Sequence, residues 1–208
     1  MLFAQVAASD ATAPSVPEAI SHLRQAATVY DEAAMKTAVA RLARLGRAAL
    51  PQVHQLVGHA DANVRWKAIQ TLGAIGIADP RLCSDLLTCS RDPDADVRGA
   101  AIDVLAQLFR QHPLTHQAAT QLRTDPHPLV RVRAAAAQWT TRHDPSAVTA
   151  LALALQESDW MAAREASFRL ASIGSPATPV LLKLLETPAP RIQRSALLTL
   201  ARFTQLPP

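Results

Sequence analysis

The sequence predicts an all-α fold, a right-handed α-solenoid (superhelix) of about six antiparallel helical hairpins. One segment, residues 61–68, returns in similar form at 94–101 and 127–134. Apolar residues within each copy follow helical spacing, and glycine or proline separates the copies. A period of about 20–50 residues marks stacked supersecondary units, none of which can bury its apolar face alone. The three strong copies carry valine at the same position, 33 residues apart: Val64, Val97 and Val130.

Weaker copies extend the repeat in both directions and bring the number of units to six. They keep the apolar or small position that valine occupies in the strong copies, but lose the Val-Arg pair, as terminal repeats often do. We call this position the anchor of each unit. The six anchors are Ala34, Val64, Val97, Val130, Ala162 and Ile192.

Each anchor begins an amphipathic helical pattern. Apolar residues fall at the anchor and at four, five and eight residues after it, which places them on one face of a helix. A shorter apolar segment precedes each such pattern. We therefore predict a hairpin with an outer first helix and an inner, concave-side second helix, all within one repeat domain over residues 18–208. The inner helices are predicted near residues 31–45, 61–75, 94–110, 127–141, 159–173 and 189–204.

The most complete copy resembles a known family. Residues 92–101 carry the pattern Asp-Pro-Asp-x-x-Val-Arg-x-x-Ala, which resembles the HEAT repeat family, and within it the short bacterial HEAT-like repeats of the phycobilisome-lyase type. The resemblance covers about residues 18–204. It implies a ladder of acid–arginine pairs between neighbouring repeats, which should lapse at Ala163 and Gln193. The implied rungs are Asp61, Asp94, Arg65, Arg98 and Arg131.

Composition agrees with a helical repeat and excludes other classes. Apolar residues make up 49% of the chain but aromatic residues only 4%, so small and branched aliphatic side chains must pack the helices closely. No segment approaches the roughly 20 apolar residues of a membrane-spanning helix, and strand patterns are absent from the sequence. We expect no membrane span.

Charge is unevenly distributed. Residues 1–104 contain 10 Lys+Arg and 11 Asp+Glu, whereas residues 105–208 contain 11 and 6. The basic C-terminal half fits attraction of nucleic acid, anionic lipid or an acidic protein. It also fits an arginine ladder with no such ligand, and the sequence leaves both interpretations open.

The cysteines and histidines do not form a recognisable site. Cys83 and Cys89 lie six apart on one predicted helix, and a structural zinc usually needs four ligands, so we interpret both as reduced packing residues. His112 and His116 are four apart, but Pro113 between them indicates a helix start. Nucleophile and phosphate-loop motifs are also missing. We expect a protein that is not an enzyme and needs no metal or cofactor.

The first residues allow two interpretations. Residues 1–8 are apolar but lack a basic n-region, and residues 9–17 are typical of a flexible lead-in. We predict a flexible arm over residues 1–17, with Ser15 or Ser21 capping the first helix, and a cytoplasmic location. If residues 1–13 are instead the remnant of an export signal, the location is periplasmic.

The candidate site is the outward face of the inner helices, at two, three, six, nine and ten residues after each anchor. Large aromatic residues flanked by charge on such a face are typical anchors of interactions. Trp66 and Trp139 both fall there, although Trp139 could instead cover the core edge where Gln138 replaces a leucine. Trp160 lies in a turn and could fill a gap between repeats. The predicted partner-binding residues are Lys36, Trp66, Lys67, Gln70, Asp103, Arg133, Trp139, Arg164, Glu165, Phe168 and Arg194, with Arg202 in the same columns.

Three functions are compatible with these sequence features. The favoured hypothesis is a non-catalytic protein–protein scaffold or adaptor that holds a peptide or protein segment in its concave groove. The second is nucleic-acid binding, since some HEAT-like DNA glycosylases for alkylated bases resemble this chain in size and groove chemistry. The third is an accessory subunit of a cofactor-handling enzyme, which the resemblance to phycobilin lyase subunits implies.

Overall fold

The computed structural model describes residues 15–203, which contain twelve α-helices and no strand, so the predicted all-α class is confirmed for that range. Three short 3-10 turns lie at Gly46–Ala48, Leu56–Gly58 and Ser175–Ala177. The α-helices are α1 (Val16–Thr28), α2 (Glu32–Leu45), α3 (Leu50–Gln55), α4 (Ala62–Ile75), α5 (Pro80–Cys89), α6 (Ala95–Leu108), α7 (Pro113–Leu122), α8 (Pro128–Arg142), α9 (Pro145–Ala154), α10 (Trp160–Ile173), α11 (Thr178–Leu185) and α12 (Pro190–Phe203).

The chain divides into two compact units, Met1–Ile77 and Ala78–Pro208, which we call the N-terminal and C-terminal units. In the N-terminal unit, α1 packs on α2, α3 packs on α4, and the inner helices α2 and α4 contact each other. In the C-terminal unit four hairpins follow the same rule, and α6, α8, α10 and α12 pack in succession. The six predicted hairpins are therefore present. The single repeat domain over residues 18–208 stays a prediction, and residues 1–14 of the predicted arm lie outside the described residues.

Aspartate or serine side chains cap the N-termini of many of these helices. Ser15 accepts a hydrogen bond from the Glu18 amide, and the Glu18 carboxylate accepts one from the Ser15 amide, which completes a capping box on α1. Asp61 and Asp94 each accept from two amides at the starts of α4 and α6. Each such cap satisfies amides that the helix leaves unpaired and contributes about 1 kcal/mol.

The predicted apolar stripe forms the core in most inner helices. Val64, Val97, Val130 and Ala162 are almost fully buried, and so are the residues four and eight positions after them. The anchor assigned to the first unit is wrong, because Ala34 is exposed and Met35 takes the buried position with a much larger apolar side chain. Each buried leucine or isoleucine in these stripes contributes about 2 kcal/mol of transfer free energy.

The acid–arginine ladder exists in the C-terminal unit, but its acids differ from those expected. Arg98 donates from Nε and Nη2 to the two carboxylate oxygens of Asp125, at 2.8 and 2.9 Å. Its Nη1 donates to the carbonyls of Asp92 and Pro93 in its own turn. Asp94 is not the rung, because its carboxylate is occupied in capping α6. The rung acid is the aspartate two residues before the cap position of the following repeat.

The same geometry recurs one repeat later with a different acid. Arg131 donates from Nη1 to the carbonyls of Asp125 and Pro126, and from Nη2 to the Glu157 carboxylate at 2.7 Å. In the N-terminal unit Arg65 donates to the carbonyls of His59 and Ala60, and Asp61 serves as a helix cap. Each arginine therefore fastens its own turn and, in the cases of Arg98 and Arg131, the next hairpin.

Both cysteines lie on α5, are buried and form no disulfide, as predicted. Burial raises the pKa of the Cys83 thiol, which keeps it protonated and unreactive at neutral pH.

We expect Asp125→Asn to destabilise the C-terminal unit by about 3 kcal/mol, because it leaves the nearly buried Arg98 guanidinium without its counter-charge. Desolvation opposes the Asp125 charge, but the hydrogen bonds from Arg98 and the His127 amide lower its pKa. The stabilisation is therefore complete above the unfolded pKa of about 4 and is lost as pH falls through the lower folded pKa.

Urea denaturation followed by circular dichroism at neutral and acidic pH measures this difference. Arg81→Ala is the control, because the Arg81 side chain is 86% exposed and its Nε lies as far as 3.9 Å from Asp79 Oδ1. Little change in the free energy of unfolding is expected. Equal stability of Asp125→Asn and the parent at neutral pH would contradict the role of the ladder.

Candidate partner-binding surfaces

An aromatic cluster lies on the N-terminal unit and includes three of the predicted site residues. The Trp66 ring stacks against Tyr30, with ring centroids 6.4 Å apart and planes 17° from parallel. Lys67 Nζ lies 3.7 Å from the Trp66 ring centroid and donates to Gln70 Oε1 at 2.9 Å. We call Tyr30, Trp66, Lys67 and Gln70 the Trp66 cluster.

Two features of the Trp66 cluster are unfavourable for the isolated chain. Tyr30 holds its backbone at φ 55°, in the left-handed region that costs a non-glycine residue about 1 kcal/mol or more, and its side chain is 59% exposed. The buried Trp66 Nε1–H has no acceptor among residues 15–203, an arrangement that costs about 1–3 kcal/mol. The cluster therefore presents an exposed ring together with an unsatisfied donor.

A charge network crosses the inner helices of the C-terminal unit. Asp103 on α6 accepts from Arg169 Nη2 on α10 at 2.8 Å, and Arg133 Nε on α8 lies 3.5 Å from its other oxygen. Arg169 Nε also donates to Glu165 at 2.7 Å. The network, which we call the Asp103 network, ties three successive inner helices together. The predicted site residues Asp103, Arg133 and Glu165 thus pair within the protein.

The glycine at position 99 makes room for this network. A Cβ atom there would lie 2.7 Å from Nη1 and 3.0 Å from Cδ of Arg133, closer than side-chain atoms normally approach. Gly99 is buried within α6, and the Arg133 side chain occupies the space that a side chain at position 99 would fill. This position corresponds to Trp66 in the preceding repeat, and it shows why the outward columns are not interchangeable.

Burial and pairing set the ionisation of the Asp103 network. Desolvation raises the pKa of Asp103, and the opposing pull of Arg169 and Arg133 does not fully restore it. Desolvation also opposes the charge of Arg169, but Asp103 and Glu165 outweigh it, so its pKa is raised. The two arginines therefore oppose the rise in the pKa of Asp103 that burial causes.

The exposed ring of Phe168 lies on α10, where one arginine of α10 and one of α12 contact it. It is 46% exposed. The guanidinium carbon of Arg164 lies 5.5 Å from its ring centroid, and that of Arg202, on α12, lies 4.3 Å from it. Both distances fit cation–π contacts.

Trp139 takes the second of its two possible roles. It is half-buried, packs against the core of the C-terminal unit and makes an edge contact with His143 at 5.2 Å. Gln138 occupies the buried core position, where it accepts from Arg123 Nη1 and donates to Thr120 Oγ1. Trp139 therefore covers the core edge and offers only part of its ring to a partner.

The remaining predicted positions lie at the surface. Lys36 and Arg194 are exposed on α2 and α12. Trp160 is 64% exposed at the first position of α10, so the expectation that it fills a gap between repeats is wrong: most of its ring remains in contact with solvent.

Two important residues lie outside the columns that the sequence selected. Arg169 lies seven positions after its anchor, between an outward column and the core stripe, and no spacing rule selects it. Tyr30 lies in the turn before the α2 cap Asp31, outside any inner helix. Gly99 did carry a signal, because glycine inside a helix is unfavourable unless a neighbour approaches closely.

The described residues hold no group of three or more His, Cys, Asp and Glu side chains placed to bind a metal ion. Across residues 15–203, every helix is too short or too polar to cross a bilayer.

Paired antiparallel helices that repeat along the chain define a helical-repeat protein. A family model for HEAT repeats matches residues 16–106 and 116–201, most of the chain. The chain therefore belongs to the HEAT repeat family. No curated protein matches the sequence.

Several solved structures are similar at low identity. An engineered protein shares 18% identity with a TM-score of 0.49, over 93% of this chain and 100% of that one. A designed armadillo repeat protein in complex with the peptide (KR)4 shares 17% identity with a TM-score of 0.48, over 91% and 100%. A chain from the complex of CpcE and CpcF of phycocyanin lyase from Nostoc sp. PCC7120 shares 22% identity with a TM-score of 0.42, over 88% and 96%.

We expect Arg169→Met to destabilise the protein by about 1–2 kcal/mol near neutral pH, because it leaves Asp103 charged beside only Arg133. The pKa of Asp103, already raised, should rise further. As pH falls through that raised pKa, Asp103 takes up a proton and no longer needs Arg169, so the deficit should shrink.

Urea denaturation of the variant near pH 7.5 and near pH 5 tests this pH dependence. Arg164→Met on the same helix is the matched control, because Arg164 contacts the Phe168 ring and pairs with no carboxylate of residues 15–203. A deficit of equal size at both pH values would show that the charge of Asp103 is not its cause.

Proposed function

We propose that this HEAT repeat protein is a non-catalytic scaffold or adaptor that binds a segment of a partner protein on its inner-helix faces. The observation that supports this most is the Trp66 cluster, in which a strained, exposed tyrosine stacks on a tryptophan with an unsatisfied N–H. Backbone strain and unpaired buried donors are concentrated at functional sites.

The composition of this surface favours a protein partner. Tyrosine, tryptophan and arginine are the residues that most often dominate binding energy at protein interfaces. The N-terminal unit offers Tyr30 and Trp66, and the C-terminal unit offers Phe168 with flanking arginines. Within the predicted set, Lys36, Trp66, Lys67 and Gln70 belong to the first surface and Arg164, Phe168 and Arg194 to the second. Asp103, Arg133 and Glu165 would act by holding the inner helices in place.

Nucleic-acid binding is less well supported. Proteins that bind duplex DNA commonly make roughly 6–10 phosphate contacts, and each contact releases about one counterion. Arg133 and Arg169 are already neutralised by Asp103 and Glu165. We also propose a cytoplasmic location, which suits two buried cysteines that form no disulfide.

We expect Trp66→Ala to weaken capture of the natural partner by at least about tenfold, since truncation of a central aromatic anchor typically costs about 2 kcal/mol or more. Tyr30→Asn should act in the same direction, because asparagine tolerates the left-handed backbone and removes only the ring. The measurement is quantitative affinity capture from the native host by the immobilised full chain, followed by titration of the captured protein.

Trp160→Ala is the matched control, since it removes an exposed tryptophan that lies outside the Trp66 cluster and should leave capture unchanged. Equal capture by the parent, Trp66→Ala and Tyr30→Asn would refute the assignment. So would tight binding of duplex DNA that falls steeply with salt while no protein partner is retained.

A further inference from the structure

Phe168, Arg164 and Arg202 form a cationic aromatic patch on the C-terminal unit, which we call the Phe168 patch. We infer that the Phe168 patch binds an acidic segment of a partner protein, with partner carboxylates on the two arginines and an apolar contact on the ring. The inference rests on the proposed scaffold function and specifies the chemistry of one partner segment.

Hydrogen bonds fix the position of Arg202 before any partner arrives. Thr199 Oγ1 donates to the Ser195 carbonyl at 2.7 Å, so the buried contact of 2.8 Å between Ser167 and Thr199 has the Ser167 hydroxyl as donor. Ser167 Oγ in turn accepts from Arg202 Nη1 at 2.6 Å. This chain ties α12 to α10 and holds the Arg202 guanidinium over the Phe168 ring.

The charges of Arg164 and Arg202 are not neutralised within the described chain. Among residues 15–203, no carboxylate forms an ion pair with either of them. Arg169 lies on the same helix as Arg164 but pairs with both Asp103 and Glu165. Carboxylates therefore neutralise the arginine that links the inner helices. The Phe168 patch is therefore left with two positive charges.

This arrangement matches the chemistry of acidic side chains. An arginine has five N–H donors, and Arg202 uses one of them on Ser167, so others remain for a bidentate carboxylate pair. Contact with the phenyl ring restrains the two guanidinium groups and reduces the entropy lost on binding. Arg194 and Leu198 precede Arg202 at four-residue steps along α12, so they extend the same helix face with another cation and a 55% exposed apolar residue.

A nucleic acid fits the Phe168 patch less well. Two unpaired arginines with Arg194 as a third provide few phosphate contacts compared with those of typical duplex-binding proteins. The observations favour an acidic protein segment.

The test is fluorescence anisotropy with the full chain and a short labelled peptide of repeating Glu-Asp-Phe. The matched probe repeats Gln-Asn-Phe, which has the same shape without charge. We expect the acidic peptide to bind at least about tenfold more tightly than the amide peptide, with the difference shrinking as salt is added.

Two substitutions then locate the binding. Arg164→Gln and Phe168→Ala should each weaken the acidic peptide by about fivefold or more. Arg164 is exposed and pairs with no carboxylate of residues 15–203, so its replacement should not affect folding, and thermal unfolding by circular dichroism checks this for both variants. Leu182→Ala, which removes a 50% exposed apolar side chain from the outer helix α11, is the control and should bind like the parent.

Equal binding of the acidic and amide peptides would overturn the inference, and so would acidic-peptide binding that Arg164→Gln and Phe168→Ala leave unchanged. Tighter binding of duplex DNA than of the acidic peptide, lost in the same variants, would also overturn it. If the natural partner depends on Trp66 while the acidic peptide fails to bind, this inference fails and the scaffold function stands. If no partner depends on Trp66, the scaffold proposal fails whatever the peptide does.

Discussion

The burial of one apolar stripe on each inner helix is the constraint on which the rest of the structure depends. A hairpin of two short helices cannot exclude water from that stripe by itself, so successive hairpins must cover one another. In the C-terminal unit, alanines dominate the buried side of α8 between α6 and α10. Small side chains let the helices approach closely.

The outward columns of the C-terminal unit use their charges in two distinct ways. The Asp103 network pairs its ions across α6, α8 and α10, and Gly99 provides the space for the Arg133 chain. The Phe168 patch instead keeps its arginines unpaired and orients them on a ring. Partly buried ion pairs contribute little net stability but are strongly unfavourable when one partner is lost, so such a network specifies one arrangement of helices. No carboxylate of residues 15–203 neutralises the two arginines of the Phe168 patch, which is why they are the better recognition groups.

The repeat and its stripes could be predicted from the sequence because they depend on spacing alone. Val64, Val97 and Val130 indicate the period, and their burial follows from a helical pattern that any side chain of suitable size can satisfy. The ladder acids could not be predicted in the same way, since Asp94 and the preceding Asp92 are equally acidic and only the turn geometry decides which one caps. Ala34 was wrong as an anchor although Ala38 and Leu42, four and eight residues after it, are buried, because the larger Met35 takes the buried position at the start of α2.

Side-chain partners were the least predictable part of the site. Asp103 and Arg169 are 66 residues apart in sequence, and nothing in either repeat indicates that they meet. The same holds for Tyr30 and Trp66, which come from a turn and a helix of different hairpins. Spacing counted from an anchor identifies which residues point outward. Whether such a residue pairs within the protein or stays available to a partner depends on three-dimensional distances.

Hydroxyl-radical footprinting of the full chain, alone and with its captured partner, tests the central claim that inner helices carry the binding surface. The technique measures oxidation of individual side chains. The exposed residues here include the Tyr30 and Phe168 rings and leucines on outer helices. The account predicts that the partner shields Tyr30, Trp66 and Phe168 while Leu153 on α9 and Leu182 on α11 oxidise at unchanged rates. Shielding of the two outer-helix leucines with no protection of the three rings would contradict it.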